Sequence, residues 1–346
     1  MGFQMKHISK YIRWVKKATS VYFQNRHFDP LYASLDLKLA TAQLLQKRAL
    51  IDKAAERKHE WALAYMEKNC SETIQHYNKM EVPQNLWLPQ DNPKVWSMWW
   101  QGEDKADPLF QMCINSARLH TQRPVVTLTQ ENYKEYFTIP AYVLDKFADG
   151  KIMIQHICDL MVVSILAAEG GFFTGATVWW SQDAPDGVLN APFYTCRAVT
   201  DCKESISRSR WVGYVMGGNK DFPLFSFARD CLLEYWKKCD QAVDYLMLDY
   251  VFELAYRNIP CVKEMIDSLP EQNNMLRNEL IMHLGDPYDK ETFRKYTEGD
   301  TFLYKLSWKF GRKDIRTQEG SKTNYGHMRA ECGGLKGKKE CPDDCK

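Results

Sequence analysis

The chain has 346 residues, 45% hydrophobic and 26% charged. That is ordinary globular composition, long enough for about two domains, and it excludes a mainly disordered protein. Lys and Arg number 46 against 44 Asp and Glu, a formal net charge of +2, so the basic excess expected of a nucleic-acid binder is missing.

No run approaches the roughly 18 apolar residues of a membrane helix. The start, MGFQMKHISKYIRWVKK, is charged throughout and lacks the apolar block of a secretory signal. A soluble, cytoplasmic protein is expected. The first thirty residues carry Lys6, Lys10, Arg13, Lys16, Lys17 and Arg26 against one acid, Asp29. Met5, Ile8, Ile12 and Val15 recur at helical spacing, which predicts a basic amphipathic helix. Such a helix either packs on its own domain or makes peripheral contact with the inner face of a membrane through residues 1–30. Helix continues over 34–68 in good helix formers such as KRALIDKAAERK. Pro83, Pro89 and Pro93 then break the pattern, which predicts a helical N-terminal region over 1–90 and a second domain over 91–328.

After Pro93, KVWSMWW reads as a buried strand and QGEDKADP as a loop. LFQMCINSARLH reads as a helix and PVVTLTQ as a second strand. This order predicts an α/β unit with a parallel sheet. Ligands in such sheets sit beyond the carboxyl ends of the strands. Trp99, Trp100 and the loop from Gln101 to Asp107 are thereby placed at a ligand mouth. One of the two tryptophans is as well explained by core packing, because strand neighbours face opposite ways.

Residues 154–168 are apolar enough for a buried helix, stopped by Gly170-Gly171 and followed by the strand FFTGATVWW. The order is the reverse of a dinucleotide loop, whose glycines follow a strand and open a helix, so that function is rejected. Asp159 sits among Ile157, Leu160 and Met161 and needs a hydrogen-bond donor. A structural partner such as His156 and a ligand hydroxyl are equally good candidates. The 11 cysteines are scattered and odd in number, unlike a disulfide scaffold. His327, Cys332, Cys341 and Cys345 lack a paired C-x-x-C knuckle, and 329–346 reads as a flexible Cys- and Lys-rich tail.

WWQGEDKADPLFQMCINSARLH, NYKEYF, HICDLMVVSILAAEGG and ATV resemble the capsular polysaccharide synthesis family, whose members are related to the DXD sugar transferases. The likeness continues through SRSRWVGYVMGGNKDFPLF and AVDYLMLDYVFELAYRNIPCVKEMIDSLPEQNN, over roughly residues 90 to 328. It implies an α/β fold with a GT-A-like, Rossmann-type nucleotide-sugar-binding sheet. It also implies transfer of a sugar from a nucleotide-diphosphate donor to a glycan acceptor in capsular or surface polysaccharide synthesis. Mn²⁺ or Mg²⁺ is the candidate cofactor. The residues so implied for the nucleotide sugar are Trp99, Trp100, Gln101, His156, Asp159, Gly170, Gly171, Ala176, Thr177 and Arg210. Asp244 and Asp249 are implied on the acceptor side, and His327 as a late metal ligand.

Two positions depart from the family pattern. Val162 stands where an arginine is usual, and Gly175 where the strand-end aspartate belongs. Both remove charge from the donor site, which weakens the expectation of activity but not of fold. Two alternatives follow: a catalytically degenerate relative that binds nucleotide sugar or glycan-assembly partners, and a membrane-surface assembly protein.

Overall fold

The computed structural model describes residues 28–220 and 222–333, together with positions 15, 19, 22, 23, 25 and 26. Most of the basic segment expected over 1–30, and Cys341 and Cys345, lie outside the described residues. Three helices come first: α1 (Pro30–Leu44), α2 (Arg48–Asn69) and α3 (Ser71–Tyr77). Pro30 presets the first turn of α1, and the Asp29 carboxylate caps it by accepting from the Tyr32 N–H at 2.7 Å.

The strands are β1 (Val95–Met98), β2 (Val125–Leu128), β3 (Gly171–Thr174), β4 (Val178–Trp180), β5 (Phe193–Thr195), β6 (Val215–Gly218) and β7 (Leu303–Lys305). Helix α4 (Pro108–Leu119) joins β1 to β2; α5 (Ala141–Ala148) and α6 (Ile154–Glu169) lead from β2 to β3. Later come α7 (Pro223–Lys238), α8 (Met247–Asn258), α9 (Pro260–Asp267), α10 (Lys290–Thr297) and α11 (Asn324–Gly333).

The main sheet has the order β2-β1-β3-β6-β5. β1 runs parallel to both neighbours, with Val95 opposite Val125 and Phe172. β6 and β5 join antiparallel. The expected α/β class and parallel unit are therefore present. β1 is buried on every residue, as a strand covered on both faces should be. Because β2 and β3 flank β1 on opposite sides, the carboxyl ends of β1 and β3 form a topological switch point, the usual ligand position in open α/β sheets. From β3 the chain turns through Gly175, Ala176 and Thr177 into β4, which pairs antiparallel with β7, Val178 opposite Lys305.

The core does not divide at residue 90. One cluster of buried side chains runs from Tyr32, Leu63 and Met66 to Trp96, Ile157, Trp236 and Phe252, and α2 packs on α7 and α8. The prolines end the helices, but the segment through them is tied down. The Gln90 N–H donates to the Asn190 carbonyl and the Asn190 amide donates to the Gln90 carbonyl, each at 2.7 Å. At the other end α11 extends folded structure to Gly333, past the boundary expected at 328. Met328 and Cys332 bury against Leu109 and Trp179, so residues 329–333 belong to the packed chain rather than to a tail. No helix among the described residues is long and apolar enough to cross a membrane.

Candidate functional site

Three parallel strands end on one side of the sheet, and that side gathers most of the chemistry. Trp99 follows β1 directly. Its ring lies 5.0 Å from Phe110 and 6.1 Å, edge to face, from Trp308 on the segment after β7. Trp99 and Ala176 pack on the same small cluster of Ala106, Phe110 and Ile114, which joins the ends of β1 and β3. Gln101 is solvent-exposed in the turn after β1. Trp308 and Phe310 are 58% and 69% exposed, an aromatic rim beside Trp99.

Sequence reasoning missed Lys305. Its register opposite Val178 sets it beside Thr177, whose hydroxyl accepts a hydrogen bond from its ammonium. A second N–H of that ammonium goes to the Leu306 carbonyl at 3.0 Å, and the charge lies 5.4 Å from the centre of the Tyr214 ring. Burial pushes Lys305 below its ordinary value, with only a modest counter-pull from the Cys113 thiol. The one signal in the sequence was a lone lysine in the apolar run TFLYKL. Thr177 is also fixed through its carbonyl, which accepts from the Leu306 N–H at 2.7 Å.

Two carboxylates stand early in helices. α6 packs back on the strand it feeds, so its early turns, with Asp159, lie toward the carboxyl end of β3. Asp159 keeps 17% side-chain exposure and accepts from the Gln155 amide at 3.2 Å. Asp249, in the first turn of α8, accepts from the Trp211 indole N–H at 3.0 Å. Burial raises Asp249 to about 7; the indole hydrogen bond opposes this, and the charges of Asp159 and Asp244 add to it. Neither Asp159 nor Asp249 has a Lys or Arg partner among the described residues.

Several expected site residues lie elsewhere. Trp100 stacks on Tyr133 and meets Phe147 edge to face, within the core. His156 is 1% exposed and packs on Trp236; its Nδ1 stands 3.7 Å from Asp159, too far for a hydrogen bond. Gly170 and Gly171 stand at the amino end of β3, the far end from Thr177. They permit close packing: a Cβ on Gly171 would fall 2.5 Å from Trp96 Nε1, and Gly170 offers its carbonyl to that indole at 2.8 Å. The tryptophan-ended strand and the double glycine therefore do not form one cleft.

Arg210 is used up in structure. It pairs with Glu253, donates to the Ser207 and Ile206 carbonyls, and lies over the Trp211 and Tyr256 rings. Asp244 is not on a helix with Asp249, because α8 begins at Met247. In the preceding loop Asp244 pairs with Lys58 at 2.8 Å and accepts from the Tyr32 hydroxyl at 2.9 Å, which anchors the N-terminal helices.

A divalent ion does not fit the turn after β3. Gly175 offers no carboxylate, the Thr177 hydroxyl is engaged by Lys305, and that ammonium puts positive charge at the turn. His327 stacks on Tyr288 at 3.7 Å and pairs with Glu331 at 3.2 Å. Among the described residues no three His, Cys, Asp or Glu side chains converge as a metal site. The surroundings are tight at both departures from the family pattern. Val162 is 4% exposed in the core, and a Cβ on Gly175 would meet the Tyr214 carbonyl at 3.1 Å and its Cβ at 3.2 Å.

The family model described as capsular polysaccharide synthesis protein matches residues 42–328 of this sequence. No curated protein matches it. Among solved structures, one titled PaToxG Glycosyltransferase is similar at 12% identity and a TM-score of 0.36, over 62% of this chain and 91% of that one. A superposition that loose carries no weight for fold or activity.

Proposed function

We propose that this chain, which belongs to the capsular polysaccharide synthesis protein family, is a glycosyltransferase. It takes a sugar from a nucleotide-diphosphate donor and gives it to a glycan acceptor. The support for this is that Trp99 and the Thr177–Lys305 pair lie at the carboxyl ends of β1 and β3, while Asp159 and Asp249, early in α6 and α8, have no Lys or Arg partner among the described residues. That set matches what the reaction needs. The bond from the anomeric carbon to the diphosphate oxygen breaks, and the leaving diphosphate keeps the electron pair. The acceptor hydroxyl bonds to the anomeric carbon and gives up its proton. Positive charge develops on the sugar and negative charge on the departing group. Aromatic faces such as Trp99 suit a base or a sugar ring. Carboxylates without a Lys or Arg partner, such as Asp159, accept hydrogen bonds from hydroxyls and so fix orientation.

Titration calorimetry of the full chain with UDP- and GDP-sugars tests this. The expected result is saturable binding that Asp159→Ala weakens about tenfold or more, the value of a hydrogen bond to a charged group. Absence of binding by every donor tried would remove the donor site. A second outcome, binding without donor hydrolysis or transfer, would favour a non-catalytic relative. The burial of Val162 and the packing of Tyr214 on Gly175 support that alternative, since neither family charge is present at these positions.

A further inference from the structure

We infer that Lys305, held by Thr177 at the carboxyl end of β3, is the fixed cation that binds the donor diphosphate, and that the site recruits no divalent ion for this purpose. The inference rests on the donor-site assignment above and adds the group that meets the phosphates.

The first support is the charge balance. Lys305 is half-buried, yet its hydrogen bonds among the described residues go to a hydroxyl and a carbonyl, neither of which is an anion. Buried charges are normally paired, because an uncompensated ion in a poorly solvated place is costly. Two other half-buried lysines have carboxylates, Lys58 with Asp36 and Asp244 and Lys146 with Asp240, whereas half-buried Lys313, beside the Trp308 rim, donates only to carbonyls as Lys305 does. Lys305 thus stands as a cation that no carboxylate among the described residues contacts, open to an anionic ligand.

The second support is geometry. An ammonium has three donors, and two are spent on Thr177 and Leu306. These fix the nitrogen and leave one N–H for a ligand oxygen. The strand pairing of Val178 with Lys305 and the bond from the Leu306 N–H to the Thr177 carbonyl make the support rigid, as preorganised charge stabilisation requires. The third support is replacement. Gly175 removes the strand-end carboxylate, and the Tyr214 backbone and side chain pack where that carboxylate would start. A metal ion at this turn would lack the strand-end carboxylate and face a positive charge. A diphosphate faces complementary charge.

Calorimetry with UDP, GDP and inorganic pyrophosphate, in EDTA and again with Mn²⁺, tests this on the full chain. Beside it stand Lys305→Met and Lys305→Arg. The expected result is binding in EDTA that Mn²⁺ does not strengthen. Lys305→Met should weaken it about tenfold to a hundredfold, and Lys305→Arg should retain most of it. Uridine, which lacks phosphates, should bind both variants and wild type alike. A thermal melt checks folding: Lys305→Met removes an uncompensated charge, so its midpoint should equal or exceed wild type. Binding that needs Mn²⁺, or that survives Lys305→Met unchanged, overturns the inference and leaves the donor site standing. No binding of any probe under either condition overturns both.

Discussion

Asp249 is the carboxylate at the site whose protonation the fold changes most usefully. Burial lifts it from an ordinary 3.8 to about 7, even though the Trp211 indole donates to it. A raised carboxylic acid stabilises the fold fully below its unfolded value. That contribution fades as pH climbs from 3.8 to about 7. The slope from this group is at most roughly 1.4 kcal/mol per pH unit. Asp249→Asn keeps an acceptor for the indole and cannot ionise. Urea unfolding at a series of pH values should therefore show the variant gaining on wild type between about pH 4 and 7, with the difference levelling above 7. Parallel curves would mean that Asp249 ionises normally. Burial also explains why Val162→Arg is a poor way to restore the family arginine. It would drive a guanidinium into the cluster that includes Ile165 and Trp236.

At the scale of elements, the joint from α6 through Gly170 and Gly171 into β3 decides where the site can be. Gly170 and Gly171 have φ of +66° and +104°. A methyl on Gly171 would also fall 2.6 Å from the Lys94 carbonyl as well as on the Trp96 indole. Gly171→Ala should cost about 3 kcal/mol, combining left-handed strain with overpacking. Denaturant melts would show a lower midpoint with an unchanged slope. A midpoint within experimental error of wild type would mean the indole and backbone yield cheaply.

This joint was legible in the sequence as a helix stopped by two glycines before an aromatic strand. Its position relative to the site was not seen. Four residues of strand span roughly 13 Å, which separates the glycines from Thr177, whereas motif matching treats them as one block. Strand β7 was missed for a different reason. Three residues that pair with β4, more than a hundred positions earlier, leave almost no local pattern. Lys305 therefore became visible only through its register.

On the scale of the whole molecule, the helical N-terminal region is part of the domain's framework. Lys58 on α2 lies between Asp36 of α1 and Asp244 of the loop before α8, at 2.8 Å from each, and the Tyr32 hydroxyl also meets Asp244. The side chains of Lys58 and Asp244 are only 13% and 15% exposed. Burial opposes the charge on Asp244, but Lys58, the Leu246 N–H and the Tyr32 hydroxyl outweigh it and hold its pKa below 3.8. Its contribution is therefore present above pH 3.8 and is lost as acid titrates the folded carboxylate. Nearby, His59 meets the Tyr250 hydroxyl at 2.8 Å, a second polar tie across the same contact. Losing Asp244 leaves Lys58 with Asp36 alone and the Tyr32 hydroxyl without its acceptor, a cost of about 1–3 kcal/mol. Asp244→Ala should lower unfolding free energy by that amount while α1 and α2 come away together with the rest. One core cluster spans them, so a single cooperative transition is expected. An acceptor-side role makes the opposite forecast: a raised KM for acceptor with stability almost unchanged. Measuring both quantities on the one variant separates an anchor from a substrate contact, and the anchor requires the stability loss with KM held.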